Sequence, residues 1–173
     1  EETITKAKTT QKRPARLPAV AQPVPGFKVM ANINIASDVQ EALAMKAEGI
    51  GLYRTELEII ATGNLLSEDE LYERYSAVVK SMKGLPVTFR MFDVGSDKPF
   101  PFLNIPKEEN PSLGFRGGRL LLGKKELLQN QARALARASS HGPVDIMYPM
   151  VIDQDQFLEL KSVVEDAIKD IPV

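Results

Sequence analysis

Arginines near the ends of short apolar runs are the residues in this chain best suited to chemistry. Arg54 closes the run Ile50–Arg54, and Arg90 lies within Pro86–Asp93. A guanidinium is always charged, and its planar fork makes paired hydrogen bonds to carboxylate or phosphate oxygens. If both runs are parallel strands, their C-terminal ends gather side chains over a ligand: Asn32 and Asn34, Arg54 with Thr55 and Glu56, Arg90 with Asp93, and Tyr148 with Met150. Adjacent strands lie about 4.8 Å apart, so two such arginines repel unless an anion lies between them or each pairs internally, for instance with Glu56 or Asp93. Position alone leaves both readings open.

The segment from Asp93 to Gly123 adds cations. It carries Lys98, then Asn110-Pro111 as an expected helix start with Pro at the first helical position. Arg116 and Arg119 follow, close to Gly114, Gly117 and Gly118. Long connections of this kind tend to be functional, and a helix N-terminus beside basic side chains suits an anion. The glycines alone are weak support, since they also ease tight packing. His141, the single histidine, precedes a strand and reads as a turn residue at the opposite end of the sheet. The methionines read as core filler.

The elements that must position these groups alternate. Phe27–Asn34 reads as a strand. Ser37 with Gln40 reads as a capping box before Val39, Ala42, Leu43 and Ala47, and Gly49 suits the helix C-terminal position. Strand Ile50–Arg54 follows, then a capping box, Ser67 with Glu70, before a helix with the stripe Leu71, Tyr75, Val78, Val79 and Met82. Strand Pro86–Asp93 precedes a long helix marked by Leu127, Leu128, Leu135 and Ala138. Strand Val144–Met150 leads into a last helix capped by Asp153 with Gln156. Helices joining successive strands make the strands parallel. Right-handed crossovers then favour a curled, barrel-like sheet over a doubly wound one. No Gly-x-Gly-x-x-Gly follows the first strand, which weakens a dinucleotide-binding reading.

The bulk properties narrow the classes. With 173 residues, 43% apolar and 26% charged, the chain is sized for one globular domain. A net charge of −1 and the lack of a basic, aromatic-interleaved run argue against nucleic acid. No apolar run spans a bilayer and no signal peptide opens the chain. The absence of cysteine excludes disulfides and thiolate chemistry and is compatible with a cytoplasmic location. Residues 1–25, with Pro14, Pro18, Pro23, Pro25 and a basic cluster, read as a linker or tail, and residues 26–173 as the folded part. The start at Glu1 suggests an excised piece of something longer.

Several motifs in register resemble one family. Gly49-Ile50-Gly51-Leu52-Tyr53-Arg54-Thr55-Glu56 resembles the strand-two signature of phosphoenolpyruvate-utilising enzymes. Arg90-Met91-Phe92-Asp93-Val94-Gly95-Ser96-Asp97-Lys98 and Glu109-Asn110-Pro111-Ser112-Leu113-Gly114-Phe115-Arg116 resemble enzyme I-type phosphoenolpyruvate-protein phosphotransferases. Arg133-Ala134-Leu135 and Met147-Tyr148-Pro149-Met150 do too. The resemblance implies a (β/α)8 barrel of the TIM type, here about its first four β/α units. It implies phosphoenolpyruvate as ligand, held by Arg54, Arg90 and Arg116 with Asp93, Lys98 and Asn32 in support. It also implies Mg2+ in the intact parent, a phosphohistidine on an upstream domain, and a small histidine-containing carrier protein as partner. The family's metal ligands, its proton-donating cysteine and its phosphohistidine fall outside this chain, so the fragment alone is expected to be inactive. Met91-Phe92 and Ser96 depart from the family's loop, where Thr or Leu and a second glycine are usual. The alternatives are a phosphoenolpyruvate synthase or pyruvate phosphate dikinase relative, and a non-catalytic anion-binding half-barrel. Half a barrel leaves open sheet edges, so pairing with a second copy is expected.

Overall fold

The structure is a computed structural model that describes residues 24–95 and 103–172. Four strands, β1 (Ala31–Ile33), β2 (Ile50–Arg54), β3 (Val87–Arg90) and β4 (Val144–Met147), form one sheet in the order β1-β2-β3-β4. Every neighbouring pair is parallel. The helices between them are α1 (Asp38–Ala44), α2 (Glu56–Thr62), α3 (Glu68–Ser81), α4 (Gly117–Gly123) and α5 (Lys125–Ala138), with α6 (Gln154–Ile168) after β4. A sequential strand order has no reversal point, so right-handed crossovers lay every helix on one face. This is an α/β fold consistent with part of a barrel.

Alternation along the strands sorts the two faces. Tyr53 and Phe89 are fully buried on the helix side, with ring centroids 5.2 Å apart, and Tyr75 of α3 stacks on Phe89 at 4.9 Å. Ile50, Val87, Val78, Val79, Met82, Leu128 and Leu135 complete that layer. The alternate residues Arg54 and Arg90 therefore belong to the opposite face. Arg133 locks the helices from outside. Its Nε donates to Glu68 of α3 at 2.8 Å, and its Nη1 to the Ala167 carbonyl of α6 at 2.7 Å and to Asp170 at 2.8 Å.

Several expected boundaries move. The first strand is shorter than Phe27–Asn34, because Val24 to Phe27 closes on itself in a turn with Gly26 at φ 84°. Ile33, the register partner of Tyr53, is buried at 4% on the helix side. The Ser37–Gln40 box does not form. Ser37 is already helical at φ −63° and ψ −27°, and its side chain caps nothing. The Asp38 carboxylate instead accepts from the backbone N–H of Asn34 and Ile35. Lys46, at φ 58°, takes the left-handed position expected of Gly49. Gly49 is needed for close approach instead, since a Cβ there would lie 2.8 Å from the Pro86 carbonyl oxygen. Asn110-Pro111 starts a turn, closed by Gly114 N–H on the Asn110 carbonyl, and the helix begins only at Gly117. The last strand ends at Met147 rather than Met150. Helix α2, starting directly after β2, had no counterpart in the periodicity.

Other signals hold as read. The Ser67–Glu70 box is complete, with Glu70 Oε2 accepting from Ser67 N at 2.8 Å and Ser67 Oγ accepting from Glu70 N at 3.3 Å. Asp153 Oδ1 accepts from Gln156 N at 2.8 Å. Ser67→Ala should lower the unfolding free energy by about 1 kcal/mol, the usual worth of such a cap. Urea unfolding of the two chains side by side checks this, and an unchanged midpoint would contradict it.

Candidate functional site

The register places Arg54 of β2 directly beside Arg90 of β3 at the C-terminal strand ends, with Met147 of β4 next in line. The two arginines are treated differently. Arg90 is ion-paired through Nη2 to Glu56 and through Nη1 to Asp93 at 3.5 Å, so the internal pairing foreseen for it is present. Glu56 is the first residue of α2 and only 2% exposed, so the helix that follows the strand immediately delivers this counter-charge. Arg54 has no carboxylate partner among the described residues, and its buried Nε, like those of Arg90 and Arg116, lacks a hydrogen-bond acceptor there.

Asp93 is shared. Its Oδ1 accepts from Arg116 Nη2 at 3.1 Å, and Arg116 is itself buried. Arg116 is extended at φ −146° and immediately precedes α4. Gly117, at φ 52°, and Gly118 follow, and a Cβ on Gly117 would lie 2.9 Å from the Met150 Cβ. The glycines thus serve close packing of α4 against the chain after β4, which brings Arg116 in toward Asp93. Among the described residues the cluster sets three guanidinium groups against two carboxylates, and the surplus positive charge sits on Arg54. An anion with at least two oxygen acceptors is the complementary guest.

The remaining candidates separate. Asn32 is exposed on β1 and is the register partner of Leu52, two residues before Arg54. Lys98 lies outside the described residues. Arg119 is tied locally, its Nε donating to the Gly114 carbonyl at 2.6 Å. Tyr148 packs edge-on against Phe157 of α6 at 5.7 Å instead of joining the arginines. His141 sits in a 3-10 turn just before β4, its Nε2 3.3 Å from the Tyr72 hydroxyl, at the other end of the sheet as expected.

One residue that sequence reasoning passed over supports the site from behind. Gln131 of α5 is fully buried, with Nε2 donating to Thr55 Oγ1 at 3.0 Å and Oε1 accepting from Phe92 N at 3.0 Å. Thr55 Oγ1 in turn donates to the Arg90 carbonyl at 2.8 Å. The available signal was a glutamine within the otherwise apolar stripe Leu128, Leu135 and Ala138.

The chain is thus a parallel α/β sheet with arginines clustered at its C-terminal edge, where positive charge exceeds negative among the described residues. The chain belongs to the family described as PEP-utilising enzyme, PEP-binding domain, whose model matches residues 8–172. Phosphoenolpyruvate-protein phosphotransferases of Bacillus sp. (strain S) and Geobacillus stearothermophilus are each 46% identical over 136 residues, covering 79% of this chain and 24% of the relative. That of Bacillus subtilis (strain 168) is 40% identical over 146 residues, covering 84% and 26%. The chain thus spans about a quarter of the length of the curated relatives it matches. Their shared name does not favour the synthase or dikinase reading. No helix among the described residues is long and apolar enough to cross a membrane.

Burial, and after it the Glu165 carboxylate, push the Tyr148 phenol up to about 12. An unfolded tyrosine titrates near about 10. The neutral phenol's contribution to stability is therefore full below pH ~10 and lost as pH rises through the folded value. Ultraviolet titration of the chain against Tyr148→Phe should show one phenolate transition near pH 12 missing from the variant. A missing transition near pH 10 would contradict this.

Proposed function

We propose that this chain supplies the phosphate-gripping half of the catalytic barrel of a phosphoenolpyruvate-protein phosphotransferase, the enzyme I type. In this reading the sheet continues into a closed (β/α)8 barrel in the full-length, cytoplasmic polypeptide. Arg54 and Arg90 hold the phosphoryl oxygens of phosphoenolpyruvate, and Arg116, Asp93, Lys98 and Asn32 support them. The bond from phosphorus to the enol oxygen breaks as one to a histidine nitrogen forms. That histidine lies on an upstream domain and passes the group to a small histidine-containing carrier protein. Fixed guanidinium groups aimed at oxygens whose charge redistributes during transfer stabilise the transition state.

The observation that carries this is Arg54, with no carboxylate partner among the described residues, in register beside Arg90, which Glu56 and Asp93 ion-pair. Arg90 is held by two carboxylates, whereas the charge of Arg54 is uncompensated among the described residues and is kept for the ligand in this reading. Mg2+ belongs to the intact enzyme in the same reading. Glu56 and Asp93 do not fit as its ligands, because both are engaged by arginines, and no three acidic, histidine or cysteine side chains converge among the described residues.

In the full-length polypeptide, Arg54→Ala or Arg90→Ala should lower phosphoryl transfer by about a hundredfold or more, the scale of losing one preorganised charge contact. Arg→Lys at either position should restore only part of this, since lysine keeps the charge without the fork. Steady-state rates within threefold of the native enzyme for either alanine variant would count against the assignment.

We further propose that the isolated chain self-associates as a dimer. Phe27 and Ile152, at 74% and 64% exposed, lie beside the two outer strands, and Met147 on β4 is also open. The outer edges of β1 and β4 carry no strand partner among the described residues. Unpaired edges with apolar flanks favour pairing with another copy. Light scattering over a concentration series should give a mass above the monomer's. A strictly monomeric mass would refute self-association.

A further inference from the structure

The segment that carries Arg90 leaves the sheet immediately after it, and its next backbone groups need other partners. Met91 N–H still reaches β4, donating to the Met147 carbonyl at 2.9 Å. Phe92 N–H does not: it donates to Gln131 Oε1, inside the protein, 3.0 Å away. Since Phe92 N–H can only donate, it fixes which end of the Gln131 amide is oxygen. The Nε2 end therefore faces Thr55 Oγ1 at 3.0 Å and the Tyr75 hydroxyl at 3.1 Å.

Thr55 then relays the constraint. Having accepted from Gln131, its hydroxyl donates to the Arg90 carbonyl at 2.8 Å. The next residue, Glu56, binds the Arg90 guanidinium. A single buried amide thus ties down Arg90's own carbonyl, the N–H two residues beyond it, and the residue between Arg54 and Glu56. Gln131, Thr55 and Tyr75 are each at most 1% exposed, so water does not compete for these bonds.

We infer that Gln131 is a positioning residue for phosphate binding, acting through Thr55 and the Phe92 backbone to fix where Arg90 points and how far it lies from Arg54. The inference rests on the reading of these arginines as phosphate ligands. Gln131 does not touch the ligand. A fork that must meet two oxygens at once loses much of its effect when its strand end drifts by an ångström. Replacing Gln131 by an apolar residue leaves the buried Phe92 N–H without its acceptor, a loss of stability that a purely structural role would also show, so positioning is read from the kinetics and not from the melting temperature.

The test is steady-state kinetics with phosphoenolpyruvate in the full-length polypeptide, with thermal melting measured in parallel. Gln131→Met keeps the volume without the amide. Thr55→Val removes the hydroxyl, whereas Thr55→Ser retains it. The expected result is a drop in kcat/KM of about tenfold or more for Gln131→Met and Thr55→Val, with KM for phosphoenolpyruvate raised. Thr55→Ser should stay within about threefold of native, and the Gln131→Met, Thr55→Val double variant should be little worse than either single one. If Gln131→Met fails to fold, the comparison of Thr55→Val with Thr55→Ser decides alone: loss in the first and retention in the second support the inference, and equal values overturn it. Folded Gln131→Met with native kcat/KM, whatever its melting temperature, also overturns it. Arg90→Ala serves as the control. If it is inactive while the Gln131 and Thr55 variants are native-like, only the role of Gln131 falls. If Arg90→Ala is itself fully active, the phosphate-binding reading falls and this inference with it.

Discussion

Two guanidinium groups in register on neighbouring parallel strands repel one another, and much of the surrounding structure answers that repulsion. At the strand spacing of about 4.8 Å, and an effective dielectric constant of about 20, like unit charges cost on the order of 3 kcal/mol. That is a large share of a small domain's net stability. The chain answers it for Arg90 within a few residues of each strand end. Helix α2 begins at Glu56, one residue after Thr55, and sets a carboxylate against Arg90. Asp93 adds a second, and Arg116 then balances Asp93 from the start of α4. These pairs are better understood as fixing geometry than as net stabilisation, since desolvation offsets much of the attraction between buried charges.

The connections obey the same requirement. A bulky residue at position 117 or 118 would hold α4 away from the chain after β4, where Gly118 N–H donates to the Pro149 carbonyl at 3.0 Å. With α4 displaced, Arg116 would lose its reach to Asp93, and Arg90 would lose part of its bracing. Behind the sheet, α5 presents Gln131 to both strand ends, while Arg133, two residues along and pointing outward, clamps α5 to α3 and α6. One helix therefore carries the inner and outer fastenings of the site.

How much of this was legible depended on the range of the interaction. Strand β2 and the buried stripe of α3 follow from local periodicity and were read with the right boundaries or nearly so. The two Ser-x-x-Glu/Gln patterns show the limit. At Ser67 the box forms, whereas at Ser37 the neighbouring Asp38 takes the preceding backbone donors and the serine falls into helical geometry. Helix α2 was invisible because it is short and Thr55, its first flanking residue, spends its hydroxyl on Arg90 instead of capping. Gln131 was invisible for a different reason. Its partners Thr55, Tyr75 and Phe92 lie 76, 56 and 39 residues away, and no local pattern encodes a contact that distant. Arg54 and Arg90 were found because chemistry and strand-end position coincide in each. The sequence left open whether they pair internally, and the structure divides the answer: Arg90 does, while Arg54 has no carboxylate partner among the described residues.

That division has a physical logic. A buried guanidinium nitrogen without an acceptor costs about 1–3 kcal/mol, and the Nε atoms of Arg54, Arg90 and Arg116 all lack one among the described residues; what sets Arg54 apart is that no described carboxylate pairs with it. Folding by itself would favour a carboxylate beside Arg54 like the one beside Arg90. With such a partner in place, an arriving anion would have to displace it and would gain little. Leaving both arginines uncompensated would instead let them splay apart under mutual repulsion. Bracing Arg90 while no described carboxylate faces Arg54 keeps the pair close with one charge not offset among the described residues, which is the arrangement that the proposed phosphate-binding role would favour.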